Sequence, residues 1–182
     1  MSAASSRIPI TVEQYEHFEG YPGLRDELIY GRIAMSPPPK PLHQQIAQNI
    51  ARLLNALSET TPYIARQATS IKFPALNSMP APDVFIVRRD DWLKACRDDV
   101  YLDVAPILVV EVISPANRKS RVEQKIGIYR SSGVQEVWIV HPKKRTVRVC
   151  TESDEKLYTA DDSIALTALT GTIQLSDVFR LE

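Results

Sequence analysis

The sequence predicts an α/β (α+β) protein in which helices pack on a central β-sheet, folded as one domain over residues 1–182. The first observation is the run 105–115, whose apolar and mostly β-branched residues are bounded by prolines, as in a strand covered on both faces. The second is the alternation of strand-like runs with segments of helical periodicity. The third is the chain length, which suffices for one substantial hydrophobic core.

Composition limits the functions that this chain can have. Its 22 basic and 22 acidic residues give a formal charge of zero, so any contact with nucleic acid requires a local basic patch. Cys96 and Cys150 form no metal-binding pair, which argues against a structural zinc site and favours reduced thiols. We find no signal-peptide pattern and no apolar run of about 18 residues, and we therefore expect a cytoplasmic protein without a membrane span. Residues 1–8 are expected to be disordered.

Two helices are predicted in the first third of the chain. Thr11 and Gln14 have the spacing of a capping box, which opens a short helix that we expect to end at Gly20. Apolar residues recur at helical spacing over residues 43–58 and predict a helix that packs on the sheet. His43 lies in its first turn, where it is either a solvated residue or a neutral imidazole at the positive end of the helix.

Strands are predicted around these helices. Glu27 precedes a strand predicted for residues 28–35, in which Gly31 marks a bulge or a tight bend. The proline-rich residues 37–41 end that strand because proline cannot continue the hydrogen-bonded ladder. Residues 63–73 predict another strand.

Two acidic residues occupy unusual places in the next strands. Asp83 stands at the start of the apolar run 83–87, where it either caps a turn or faces a site at the strand end. A short helix is predicted for residues 90–97. Glu111 lies inside the central run 105–115, and a buried carboxylate needs a counter-charge, a proton or a cation. A structural ion pair and a functional site are both compatible with that position.

The segment after the central strand predicts a helix and a returning strand. Asn117 caps a helix that runs to about residue 132 and is closed by Gly133. Its buried stripe consists of Val122, Ile126 and Tyr129. Lys125 lies about 60° from the centre of that stripe, at 100° per residue, so it either turns toward the sheet or extends along the helix flank.

The remainder of the chain is predicted to be rich in β-structure. Residues 133–140 form a strand that returns to the sheet. Residues 146–150 predict a further strand, and residues 156–182 form a β-rich tail. A final helical turn is expected over residues 175–179.

An Asp at the head of one strand, a Glu inside the next and a Lys on the following helix form a recognisable chemical set. Two carboxylates can hold a hard divalent cation through oxygen ligands, with water completing the shell. The lysine can orient the attacking water or help to deprotonate it. Asp83, Glu111 and Lys125 therefore predict metal-assisted hydrolysis of a phosphodiester.

Several segments resemble a known family. These are E-L-I-Y-G from Glu27, the proline run followed by His43, P-D-V around Asp83, L-V-V-E-V-I-S-P around Glu111, and K-x-x-x-Y-x-x-x-G-V-x-E-x-W-I-V from Lys125. In this order they resemble the Uma-two-type endonucleases of the restriction-endonuclease-like PD-(D/E)XK superfamily, over about residues 11 to 180. The resemblance implies a mixed central β-sheet flanked by helices, followed by the additional C-terminal strands.

The resemblance also implies a set of site residues. Asp83, Glu111 and the carbonyl of Val112 would bind Mg²⁺ or Mn²⁺. The superfamily motif has its lysine two residues after the glutamate, where this chain has Ile113, so Lys125 would supply the displaced ammonium. Glu27 matches an upstream acid that could bind a second metal or a metal-bound water.

Two departures from the family pattern concern charge. The family often has Asp at the position of Arg121, and Asp-Pro where this chain has His141 and Pro142. Basic residues on the predicted helix, together with His43, are candidate substrate contacts, and a solvated helix face is the alternative for them. The basic residues in question are Arg118, Lys119 and Arg121.

We therefore expect a divalent-metal-dependent endonuclease acting on DNA. The main alternative is a nuclease fold that serves as a binding or assembly protein without turnover. A third possibility is a metal-independent hydrolase with His43 and Glu27 as an acid/base pair, although no nucleophile motif accompanies them. Cleavage of both strands by a chain with one site favours a symmetric homodimer.

Overall fold

A computed structural model describes residues 9–114 and 119–181 of the chain. Residues 1–8, expected to be disordered, and Asn117, expected to cap a helix, lie outside the described residues. The strands in chain order are β1 (Arg25–Ile29), β2 (Arg32–Ser36), β3 (Tyr63–Gln67), β4 (Val84–Arg88), β5 (Leu108–Val112), β6 (Glu136–His141), β7 (Thr146–Thr151), β8 (Glu155–Thr159), β9 (Ser163–Ala165) and β10 (Thr172–Gln174). The α-helices are α1 (Val12–Glu16), α2 (Pro41–Ser58), α3 (Arg89–Asp98), α4 (Lys119–Ser131) and α5 (Leu175–Val178), and a 3₁₀ turn covers Pro74–Leu76.

A mixed sheet forms the centre of the described part of the chain. Its six strands follow the order β3-β4-β5-β6-β7-β8, in which β5 and β6 are parallel and the other neighbours are antiparallel. The helix α4 connects the parallel pair, as expected for a crossover. The predicted mixed sheet flanked by helices is confirmed.

Apolar layers cover both faces of the sheet. One layer contains residues of α2, α5 and the β9–β10 hairpin, and the other contains residues of α4. Strand β5 contributes to both layers, with Val110 in the first and Val109 in the second, so its residues are buried on both faces as the sequence predicted. Because strand side chains alternate, Glu111 points toward the layer of Val109, which α4 covers.

The structure corrects the single strand predicted over residues 28–35. Two strands, β1 and β2, pair as an antiparallel hairpin. Tyr30 and Gly31 form the two-residue turn between them, and both have positive φ (48° and 73°), as in type I′ hairpins. A Cβ on Gly31 would lie 2.7 Å from the side chains of Asn77 and Pro9, so the close packing also requires glycine. The tight bend expected at Gly31 is therefore present, and it reverses the chain.

Other boundaries differ by a few residues. The capping box of Thr11 and Gln14 is confirmed, but α1 ends at Glu16 and not at Gly20. The strand predicted over residues 63–73 ends at Gln67, because Ala68 has a φ of 49° that breaks the extended backbone. The strand predicted from residue 133 begins at Glu136.

Candidate active site

A cavity of about 380 Å³ opens where the β1–β2 hairpin, the start of α2, the ends of β4 and β5, and α4 meet. Its charged lining includes the four residues predicted to be catalytic, namely Glu27, Asp83, Glu111 and Lys125. These residues come from four separate segments of the chain. Tertiary packing therefore brings the predicted catalytic residues to one place.

Asp83 immediately precedes β4 and lies on the wall of the cavity. The ladder between β4 and β5 ends at the pair Val84 and Val110. Beyond that pair, the N–H of Val112 donates to the Asp83 side chain (N to Oδ2, 2.8 Å), so the carboxylate replaces a main-chain acceptor. Burial alone would raise the pKa of Asp83, but His43, Lys125 and this N–H outweigh it and lower the pKa.

Two further side chains contact Asp83. Nε2 of His43 lies 3.2 Å from Oδ2, and a guanidinium nitrogen of Arg25 lies 3.6 Å from Oδ1. Nδ1 of His43 is buried and has no hydrogen-bond partner among the described residues. His43, predicted to contact the substrate, thus lies on the cavity wall against Asp83 and not in the solvated position that was its alternative.

Glu111 makes contacts through both carboxylate oxygens. The hydroxyl of Tyr129 donates to Oε1 (2.6 Å), and Nζ of Lys125 lies 2.6 Å from Oε1 and 2.7 Å from Oε2. Burial, together with the charges of Asp83 and Glu27, raises the pKa of Glu111 to about 7, although Lys125 opposes this shift. The ammonium of Lys125 therefore offsets only part of the effect that burial and the neighbouring acids have on this pKa.

Lys125 turns inward from α4 and is only 6% exposed. Its Nζ lies 2.7 Å from Oε1 of Glu27 as well as against Glu111. Burial lowers the pKa of Lys125, but Glu111 and Glu27 outweigh burial and raise it above the ordinary value. A lysine extended along the helix flank would keep its ammonium in water, and this ammonium is instead paired inside the protein.

Glu27 reaches the cavity because the β1–β2 hairpin folds over the ends of the central strands. Its Oε1 accepts from both Nζ of Lys125 and the N–H of Ala81 (2.8 Å). His43 contacts Asp83 and not Glu27. The two members of the possible His43–Glu27 acid/base pair are thus engaged with different partners.

The basic residues predicted on α4 lie in different surroundings. Arg118 is outside the described residues, and Lys119 is exposed. A guanidinium nitrogen of Arg121 donates to the carbonyl of Met35 (3.0 Å), which joins α4 to β2. One residue of the predicted basic patch, Arg121, is therefore held by a hydrogen bond within the protein.

Sequence reasoning missed three cations that line the cavity. Arg25 lies on β1, Lys40 precedes α2, and Lys143 lies in the turn between β6 and β7. Lys40 and Lys143 are exposed. Proline residues adjoin both lysines, which indicates that the lysines lie in loops. The separation of the two loops in the sequence does not indicate that they meet.

The contact of Tyr129 with Glu111 was also not predicted, because the place of Tyr129 in the buried stripe of α4 already accounted for a tyrosine at that position. The side chain is fully buried and packs edge to face on Phe73, with ring centroids 6.1 Å apart. Its hydroxyl bonds to Glu111, and burial followed by the charge of Glu111 raises its pKa well above the ordinary value. The spacing of four residues from Lys125 was the available signal, because residues four apart share a helix face.

The oxygen donors around the cavity fit a hard divalent cation. Among the described residues, no three His, Cys, Asp or Glu side chains are grouped so as to hold a metal by themselves. The predicted ligands are two carboxylates and one carbonyl, and the N–H and C=O of a strand residue point to the same side. Since the N–H of Val112 faces Asp83, its carbonyl lies on that side too. Carboxylate and carbonyl oxygens, with water, are the donors that Mg²⁺ and Mn²⁺ prefer.

The structure thus places Asp83 just before β4 and Glu111 near the end of β5 of a mixed sheet, with Lys125 beside them. A family model named Uma2 and described as "Putative restriction endonuclease" matches residues 12–180. The chain belongs to this family, as the resemblance noted in the sequence indicated. The family and the fold together support nuclease activity in general.

A solved structure has the same fold. It is described as a putative nuclease belonging to DUF820 from Anabaena variabilis ATCC 29413, and it has a TM-score of 0.79 and 19% sequence identity. The similarity covers 94% of this chain and 98% of that chain. A comparison with curated proteins found no match. In residues 9–114 and 119–181, no helix is long and apolar enough to cross a membrane.

Proposed function

We propose that this protein is a divalent-metal-dependent endonuclease that hydrolyses phosphodiester bonds of DNA. The observation that carries the proposal is the meeting of Asp83, Glu111 and Lys125 in one cavity, with the ammonium 2.6 Å from Glu111. A structural ion pair alone would require one acid for one lysine. Here three acids line the cavity around that one ammonium, and a bound cation would stabilise their ionised forms.

The proposed metal ligands are Asp83, Glu111 and the carbonyl of Val112. A bound Mg²⁺ or Mn²⁺ supplies Lewis acidity and makes a coordinated water more acidic. Asp83 is held ready by the Val112 N–H, and its lowered pKa keeps it ionised at neutral pH. Glu111 must lose its proton before it can act as a ligand, so its raised pKa makes metal binding depend on pH.

Lys125 acts as a hydrogen-bond donor and a positive charge in this proposal. In hydrolysis the oxygen of water bonds to phosphorus and the water loses one proton to the solvent, while the bond from phosphorus to one bridging sugar oxygen breaks and that oxygen gains a proton. Glu111 and Glu27 raise the pKa of Lys125 in the metal-free protein, which favours a protonated side chain, so we assign Lys125 the role of a charge donor and not that of a base. Its ammonium instead stabilises the charge that develops on the phosphate oxygens.

The cations on the cavity rim are candidates for contacts with the DNA backbone. Arg25, Lys40 and Lys143 come from three segments and line the cavity, while Lys119 lies exposed at the start of α4. Cations at such positions neutralise phosphates and place a strand across the acids. This arrangement reconciles DNA binding with a formal net charge of zero.

One chain provides one such site, so cleavage of both strands favours a symmetric homodimer. Size-exclusion chromatography with light scattering, with and without a short duplex, measures this directly. A mass of one chain under both conditions would restrict the proposal to nicking or to single-strand cleavage.

The experiment that tests the function is cleavage of plasmid and oligonucleotide substrates with Mg²⁺, with Mn²⁺ and with EDTA. We expect cleavage with either metal and none with EDTA. Asp83→Asn and Glu111→Gln should each abolish cleavage and the Mn²⁺-dependent rise in melting temperature. Asp161→Asn is the matched control because Asp161 is exposed and far along the chain from the site residues. Cleavage that persists in EDTA, or in both acid variants, would contradict the proposal.

A further inference from the structure

Glu27 has two possible roles in the proposed nuclease, as a ligand for a second metal or as a partner of Lys125. Its Oε1 atom already accepts two hydrogen bonds, from Nζ of Lys125 (2.7 Å) and from the N–H of Ala81 (2.8 Å). The Ala81 N–H is part of the main chain and holds this oxygen in place. The position of Glu27 is therefore set by contacts with protein groups.

The space between Glu27 and Glu111 is occupied by an ammonium group. Nζ of Lys125 lies 2.7 Å from Glu27 and 2.6 Å from Glu111, so it bridges the two carboxylates. A cation that bound between these acids would have to displace Nζ. Because Lys125 is 6% exposed, a displaced ammonium would lose the partners that compensate its burial.

The charges around the cavity favour one divalent cation over two. Among the described residues, three carboxylates (Glu27, Asp83 and Glu111) face the ammonium of Lys125 and the guanidinium of Arg25. Lys40 and Lys143 also line the cavity, so the cations of the protein already match or exceed the three acids in number. Each divalent cation adds two more positive charges near the buried Lys125, so a second cation is disfavoured more strongly than the first.

We infer that Glu27 is a positioning residue that holds Lys125 toward the substrate, and that the site takes one divalent cation, at Asp83 and Glu111. This inference rests on the proposed nuclease function. It assigns the three acids to two tasks: Asp83 and Glu111 face the cation, and Glu27 orients the ammonium. A glutamine at position 27 can perform the second task, because its side-chain oxygen still accepts from Lys125 and Ala81.

The test is Mn²⁺ binding followed by electron paramagnetic resonance, with cleavage measured in parallel. We expect one Mn²⁺ per chain in the wild type and in Glu27→Gln, with similar affinity, and loss of binding in Asp83→Asn. Cleavage should fall by less than about tenfold in Glu27→Gln and by about 10²-fold in Glu27→Ala, the scale of one misplaced electrostatic contact. Raising the Mn²⁺ concentration should not restore the cleavage activity of either variant. Glu152→Gln is the control, since Glu152 is an exposed acid on the surface.

The outcomes separate this inference from the function on which it rests. Two Mn²⁺ ions in the wild type, one of which is lost in Glu27→Gln, would overturn the inference while leaving a metal-dependent nuclease. Restoration of cleavage in Glu27→Gln by a high Mn²⁺ concentration would also overturn the inference while leaving a metal-dependent nuclease. A wild type that binds no Mn²⁺ would overturn both.

Discussion

The ammonium of Lys125 lies 2.6 Å from Oε1 of Glu111, and the two side chains are 8% and 13% exposed. Glu111 is the penultimate residue of β5, and Lys125 comes from the second turn of α4, which packs on that strand's face. Glu111 is shared between the lysine, the hydroxyl of Tyr129 and the cavity. Each of these relationships leads to a separate expectation.

Lys125→Met should reduce cleavage by about 10²-fold or more, the scale of losing one preorganised electrostatic contact. Methionine preserves most of the apolar stem, so the packing of α4 should survive. The Mn²⁺-dependent rise in melting temperature should persist because Lys125 is not a proposed ligand. Lys125→Arg should restore little activity, since a planar guanidinium does not fit the place of a compact ammonium. Full cleavage by a folded Lys125→Met protein would reduce Lys125 to a structural residue.

The contribution of Glu111 to the stability of the metal-free protein should fall as the pH rises from about 4.5 to about 7. Burial and neighbouring acids raise the pKa of Glu111 to about 7 from the ordinary 4.5, so the folded state binds a proton that the unfolded state has released. The stability from this proton is complete below the unfolded pKa and is lost as the pH passes through the folded pKa. Chemical denaturation in EDTA measures the slope. Glu111→Gln, which does not titrate, should have a smaller slope, and equal slopes would remove Glu111 as its source.

Tyr129→Phe should weaken metal binding and cleavage while leaving the fold intact. Phenylalanine keeps the ring contact with Phe73 but removes the hydroxyl that donates to Glu111. Removal of a group that orients a metal ligand typically lowers metal affinity about 10- to 100-fold, so we expect roughly a tenfold or larger loss of Mn²⁺ affinity. Tyr101→Phe is the control because Tyr101 is 43% exposed. Wild-type Mn²⁺ affinity in Tyr129→Phe would mean that the hydroxyl serves packing alone.

Replacement of Lys40 and Lys143 by glutamine should weaken DNA binding and reduce its dependence on salt. Each phosphate contact contributes about 0.9 to the slope of log affinity against log salt concentration for duplex DNA. If both lysines contact phosphates, the slope measured for the double variant should be smaller by close to two such contributions, whatever the sequence of the DNA. Lys94→Gln is the matched control, since Lys94 is exposed and paired with Asp98. Fluorescence anisotropy at several salt concentrations gives the slopes, and an unchanged slope would exclude both lysines from the interface.

Local sequence patterns determined most of the elements and indicated the main candidate site residues. The capping box of Thr11 and Gln14, the apolar stripe of α2 and the buried run around Glu111 each reflect a short-range periodicity or a short-range hydrogen bond. A charged residue in an apolar strand stands out from its neighbours whatever the fold. Asp83, Glu111 and Lys125 could therefore be selected before their distances were known.

Tertiary structure alone decided which groups touch. The hairpin at Tyr30 and Gly31 carries Glu27 to Lys125, and that turn has no Asn-Gly or Asp-Gly signal in a chain segment that otherwise resembles one strand. Likewise, periodicity placed Tyr129 on the buried face of α4 but could not show that its hydroxyl reaches Glu111. The physical reason is that a local pattern sets the direction of a side chain from its own element, whereas distances between elements depend on strand pairing and on the packing of helices against the sheet.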